Sequence, residues 1–261
     1  MKATRWMQGA LGCAVLCMMA QAQAVEAIAP APTPCPDSPG FRELASFRNV
    51  YLGDTHGTQE IPALLQCLVQ AAIREQHKPL VVSLELPDGD LPSGKKYWAT
   101  VRDGKTSQAM WQVYQWLRQQ EATGRLRIHY QYDNVPWTGQ AAYERHVGEA
   151  IKALIDQGNA VITFGGNFHS RKAAIQGMAD FLPTGAVIGD AITRVDVVAQ
   201  EGGEAWNCIQ AASGESECKP HRVFVGRTSA AQAGELVDGS SRGHDKVFVV
   251  QRFTAALPQF P

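Results

Sequence analysis

The run Val50-Tyr51-Leu52-Gly53-Asp54-Thr55-His56-Gly57-Thr58 constrains the fold of this chain more than any other stretch. An apolar segment ends in a glycine turn, and a helix-like segment from Glu60 to Gln76 follows at once. The first reads as a buried strand covering Arg48 to Leu52. In the second, Ile61, Leu64, Leu65, Leu68 and Ala72 make a helical apolar stripe. Pro62 suits that helix's first turn, where its missing N–H costs nothing. Such a strand–turn–helix throws the side chains of its turn, here Asp54 and His56, out at the strand's carboxyl end.

The arrangement recurs along the chain. After Pro79 the run Leu80-Val81-Val82-Ser83-Leu84 reads as a strand buried on both faces. It stops at Glu85-Leu86-Pro87, and a polar loop with Asp88, Gly89, Asp90 and Gly94 follows. Residues 107–120 carry Met110, Trp111, Tyr114 and Leu117 at helical spacing, and residues 126–132 alternate as a third strand. Gln140 to Asp156 is a further helix with Gly158 as its cap. A fourth strand, Ala160 to Phe164, delivers Gly165-Gly166-Asn167-Phe168-His169. Shorter strand-like runs lie at 186–188, 193–199, 222–225 and 246–252. Strands alternating with helices imply right-handed βαβ units, and so one α/β domain with a mainly parallel sheet covered by helices on both faces.

In such sheets ligands sit outside the carboxyl ends of the strands. The Asp54/His56 turn, Glu85 and His169 all fall there. Gly53-x-x-His56 and Gly166-x-x-His169 share a spacing that 24 glycines and 7 histidines would produce by chance roughly 0.6 times. Both copies directly follow a strand, and that position carries the signal. Each glycine is expected to allow a tight turn with positive φ and close approach of a ligand. Two imidazoles and a carboxylate suffice to hold a catalytic divalent metal with a position open for water. They also suffice without metal, one histidine acting as general base and a carboxylate fixing its tautomer. Asn167 and Arg171 flank His169 as candidates for binding an anion or cofactor. No G-x-S-x-G elbow, Walker A pattern or G-x-G-x-x-G fingerprint is present in the sequence.

The chain opens with Lys2 and Arg5, a short apolar run from Ala10 to Ala20, and Ala22-Gln23-Ala24. These are the parts of a secretory signal peptide cleaved after Ala24, with an apolar run too short to span a bilayer. A periplasmic or secreted protein is expected. Without residues 1–24 the chain keeps 22 basic against 25 acidic residues, a net charge near −3. That charge offers no footprint for nucleic acid or an anionic membrane. Residues 25–40, with Pro30, Pro32, Pro34, Pro36 and Pro39, read as an extended linker before a domain over 41–261. Cys35, Cys67, Cys208 and Cys218 remain, an even number suited to disulfides in an oxidising compartment. Cys208–Cys218 is favoured because the short polar stretch between them can turn back on itself, which leaves Cys35–Cys67.

At these residues the chain resembles the superfamily that joins erythromycin esterases, ChaN haem-binding lipoproteins, TraB/PrgY proteins and Tiki proteases. Leu52-Gly53-Asp54-Thr55-His56-Gly57-Thr58-Gln59-Glu60-Ile61-Pro62 is similar to its first motif, Gly166-Asn167-Phe168-His169 to its second, and Glu85 to the glutamate closing its second strand. Tyr143-Glu144-Arg145-His146-Val147-Gly148-Glu149-Ala150-Ile151 matches the frame of an intermediate motif, with Tyr143 in the place of an arginine. Asp54 stands where many members have Glu. The resemblance covers roughly residues 47–175 and implies a hydrolase acting on an ester or amide bond of a small molecule or peptide. His56, Glu85 and His169 would bind Mn, Zn or Fe or activate water, supported by Asp54 and Tyr143. The alternative it implies is a haem-binding uptake protein with a Tyr or His axial ligand. The chain lacks the lipid-attachment motif of the ChaN type and the length of the esterases.

Overall fold

A computed structural model describes residues 34–75, 79–133, 138–174, 182–210, 216–223 and 231–259. The expected signal segment and the linker before Pro34 lie outside these residues, as do Gln76, Phe224 and Val225.

The first element begins inside the expected linker. Helix α1, Pro39–Ser46, starts at a proline suited to a first turn, and the Ser38 side chain caps it by accepting from the Phe41 N–H at 3.1 Å. Cys35 is bonded to Cys67, so the chain just before α1 is tied to the domain. Residues 34–40 of the expected linker therefore belong to the domain, and residues 25–33 lie outside the described residues.

Strand β1 is Val50–Asp54, helix α2 Glu60–Arg74, and strand β2 Leu80–Leu84. Helix α3, Pro92–Thr100, occupies a stretch that reads as polar loop because Gly94, Lys95 and Lys96 interrupt its apolar spacing. Then come α4 (Gln108–Ala122), β3 (Arg127–Tyr130), α5 (Gln140–Asp156) and β4 (Ala160–Gly166). Gly158 follows α5 with φ of 86°, as its capping role requires. The run expected as a strand at 186–188 is part of a short helix, α6, Thr184–Ile188. Strand β5, Thr193–Ala199, precedes an antiparallel hairpin of β6 (Gly203–Gln210) and β7 (Ser216–Val223). Strands β8 (Leu236–Asp238) and β9 (Lys246–Val250) complete the fold.

The central sheet has seven strands in the order β3-β2-β4-β1-β5-β9-β8, parallel except at β8. Its inner strands are covered on both faces. Val50, Leu52, Val82, Leu84, Ile162 and Phe164 point to the side packed by α1, α2 and α4. Tyr51, Val81 and Val161 point to the other, against Tyr143, Val147, Ile151 and Leu154 of α5. Double-sided burial is why these strands read as unbroken apolar runs.

Candidate functional site

Strand order decides what meets what. β4 lies between β2 and β1, with Leu84 beside Phe164 and Asp54 beside Gly166. The carboxyl ends of the three strands therefore bring Glu85, His169 and His56 together, as expected. The His56 Nε2 lies 3.8 Å from Glu85 Oε2, and the His169 Nε2 lies 3.7 Å from Glu85 Oε1. Those separations exceed a hydrogen bond, so each ring nitrogen keeps a lone pair or proton for another partner.

The far side of each ring is fixed. Nδ1 of His56 donates to Asp54 Oδ2 at 2.7 Å, and Nδ1 of His169 donates to Glu144 Oε1 at 2.5 Å. A carboxylate can only accept, so each ring carries its proton on Nδ1 and turns Nε2 inward. Glu144 is fully buried and fully satisfied. Gln140 Nε2 donates to Oε1 at 2.7 Å, while the Thr184 N–H and Oγ1 donate to Oε2 at 2.7 and 2.6 Å. Asp54 Oδ1 is buried with no partner among the described residues.

The glycines work differently from the expectation. Positive φ falls on Gly57, at 79°, while Gly53 and Gly166 belong to the extended strands. Their value is space. A Cβ at Gly166 would lie 3.1 Å from His56 Nε2 and 3.2 Å from His169 Cδ2, and one at Gly53 would lie 2.5 Å from Ser170 Oγ. Beneath the His169 turn, Ser170 Oγ and His244 Nε2 are 2.9 Å apart, and each is 3.1 Å from the Asn167 carbonyl. His244 has no strand-end setting in the sequence, yet it props this turn.

Lys105 has no signal in the sequence either. Its Nζ donates to Glu85 Oε1 at 3.4 Å and to Tyr132 Oη at 3.1 Å, and it pairs with Asp103 at 3.3 Å. Tyr132 Oη donates to Glu85 Oε1 at 3.0 Å, and the Gly166 N–H donates to Oε2 at 2.6 Å.

Charge follows from these contacts. Burial alone would raise the Glu85 carboxyl, but His56, His169, Lys105 and the Gly166 N–H outweigh it and hold it at about 2. Burial would lower both imidazoles. Asp54 and Glu85 push His56 above its ordinary value instead, against opposition from Lys105. For His169 the bond to Glu144 and the charge of Glu85 do the same. Burial would also lower Lys105, yet Glu85, Tyr97 and Asp103 keep it protonated. Burial and the Glu85 charge raise Tyr132, which stays a neutral donor.

These groups open onto a cavity of about 710 Å³, bordered also by Thr55, Asp103, Gln140, Asn167, Phe168 and Asn207. Asn167 thus reaches the site. Tyr143 does not border the cavity; it sits behind His169, ring to ring at 5.7 Å, with its hydroxyl 3.5 Å from Gln131 Oε1. Arg171 turns away, its guanidinium packed on the backbone of Gly243. The β6–β7 hairpin forms one wall. The Trp206 N–H donates to the Gly57 carbonyl at 2.9 Å, and the Trp206 indole N–H donates to the Arg102 carbonyl at 3.0 Å. Cys208 and Cys218 pair directly across the hairpin in a disulfide, as favoured from sequence.

A divalent metal held by His56, Glu85 and His169 would share Glu85 with partners that it already has. Both Glu85 oxygens already accept from Lys105, Tyr132 or Gly166, and an ammonium holds the cationic place. Among the described residues no group of three His, Cys, Asp or Glu side chains is arranged to hold a metal ion, and no helix is long and apolar enough to cross a membrane.

No family model matches the chain, and none of the curated proteins matches it. Solved structures do. A Bacillus cereus protein from a structural genomics effort superposes with a TM-score of 0.51 at 10% identity, over 88% of this chain and 96% of that one. A succinoglycan biosynthesis protein gives 0.49 at 8% identity, over 84% and 91%. A mutant erythromycin esterase in its open conformation gives 0.47 at 8%, over 82% and 93%. The first of these shows that the fold is shared.

Proposed function

We propose that the chain is an exported hydrolase that cleaves an ester or amide bond by activating water between two histidines, without a metal. One observation carries the reading. Two imidazoles turn their Nε2 atoms toward one buried carboxylate, and each is fixed from behind by a carboxylate of its own. Groups held in this way suit proton transfer. The resemblance of the strand-end motifs to esterases and proteases supports the same chemistry. The two disulfides and the signal-like N-terminus support export.

The two histidines differ. His56 is the more exposed, at 23%, and Lys105 opposes its protonation, so it is the base. His169 shares a 2.5 Å bond with fully buried Glu144, which favours its imidazolium form, so it is the acid. A water oxygen attacks the carbonyl carbon of the substrate and passes a proton to His56 Nε2. The carbonyl electrons move onto oxygen, where the Lys105 ammonium stabilises the charge. Collapse of that intermediate breaks the bond to the leaving group, which takes a proton from His169 Nε2. An acid and an alcohol or amine depart, and proton exchange between the histidines restores the resting state. Glu85, ionised throughout, stabilises whichever ring is charged.

The cavity sets the carboxylates of Asp54, Glu85 and Asp103, the amides of Asn167 and Asn207 and the Lys105 ammonium around the two imidazoles; hydrolysis is the reading that this chemistry favours. The test is a panel of short esters and peptide amides assayed with wild type and His56→Ala. Loss of about 10²- to 10⁴-fold in rate, with an unchanged circular dichroism spectrum, is expected from removing a general base. Retained activity in His56→Ala would sink the assignment.

A further inference from the structure

A second cavity, of about 380 Å³, adjoins the first and shares Asp103 and Lys105 with it. Its other walls are of another kind. Tyr97 and Ser93 come from α3, Val101 follows that helix, and Pro87 and Tyr132 complete the lining of this open chamber. Tyr97 and Tyr132 meet edge to face at 5.7 Å, and Lys105 Nζ lies 5.7 Å from the centre of the Tyr132 ring, so the lining is aromatic carbon beside one ammonium, a surface suited to a further flat apolar group. A cavity of about 150 Å³ is already enough to take benzene, so one ring fits here with room.

The charges at the boundary are matched to each other. Asp103 lines the chamber beside Lys105 and lies 3.3 Å from it, so an anionic substituent in the chamber would face a carboxylate as well as the ammonium that serves the carbonyl oxygen. From this juxtaposition we infer that the chamber is the specificity pocket of the site: it takes a neutral aryl or cycloalkyl group attached to the scissile ester or amide. The carbonyl then lies beside Lys105, where the two cavities meet. The placement next to a scissile bond rests on the hydrolase reading; the selectivity of the chamber does not.

Two readouts separate the claims. Titration of 4-fluorobenzyl alcohol, followed by fluorine NMR, should show saturable binding to wild type and equally to His56→Ala. Affinity should fall at least about tenfold in Val101→Trp, which fills the chamber, and in Tyr97→Ala, which removes its stacking face. The charged probe 4-fluorobenzoate should bind at least about tenfold more weakly than the alcohol. In parallel, kcat/KM for benzyl acetate should exceed that for ethyl acetate by about tenfold or more in wild type, with the ratio collapsing toward one in both chamber variants. Absent binding of the alcohol, or equal affinity in wild type and both folded variants, overturns the inference. Binding with the stated sensitivities but no hydrolysis of either ester leaves the pocket standing and removes the hydrolase reading.

Discussion

Asp54 spends one oxygen on His56 and keeps the other buried, without a partner among the described residues. Its charge raises His56, so the base is neutral, and competent, only above the ordinary histidine range. Asp54→Asn removes that charge. The acidic limb of kcat/KM against pH should then move to lower pH, while the plateau falls by about 10- to 100-fold as control of the tautomer weakens. A limb that stays in place or moves upward would show that Asp54 does not act on the base. His56, Glu85 and His169 were legible in the sequence because each directly follows an apolar run. Glu144, Lys105 and His244 were not. Glu144 points inward from a helix whose apolar residues say nothing about which polar residue is buried, and Lys105 and His244 arrive from loops whose paths no periodicity encodes. Tyr143 was assigned to the site, yet it packs behind His169, so its influence passes through that ring.

Elements contribute unequally to the site. The parallel strands supply its floor, and the β6–β7 hairpin supplies a wall that comes close enough to Gly57 for a Cβ there to lie 1.8 Å from the Trp206 carbonyl. The two disulfides should therefore separate stability from function. Cys35–Cys67 closes a separation of 32 residues and Cys208–Cys218 one of 10, worth about 3.7 and about 2.7 kcal/mol respectively on chain entropy. Cys35→Ser/Cys67→Ser should lower the melting temperature and leave kcat/KM within about twofold, because that bond is remote from the chemistry. Cys208→Ser/Cys218→Ser should lower kcat/KM by at least about tenfold, since it loosens the strand that carries Asn207 into the cavity. Equal kinetic effects would remove the hairpin from the site. The inner strands were legible because burial on both faces leaves them continuously apolar. The edges were not: α3 lacks a clean stripe, and α6 has too few residues to show a period, so its Ala186–Ile188 run passes for a strand.

The described residues from Pro34 on form a mainly parallel sheet whose strand order converges three carboxyl ends on one crevice, with loops and a hairpin around it. The sheet gives rigidity to His56, Glu85 and His169 at its strand ends, while α3 and the loop that carries Lys105 add the side chamber and the cation. The central claim is that these groups do the chemistry with no metal. The most direct test is hydrolysis by the protein before and after exhaustive chelation, beside His56→Ala and His169→Ala. The account predicts that chelated wild type keeps its rate within about twofold, and that each variant loses at least about 10² of it. Activity that vanishes on chelation and returns with Mn or Zn, or that survives in His56→Ala, would contradict it.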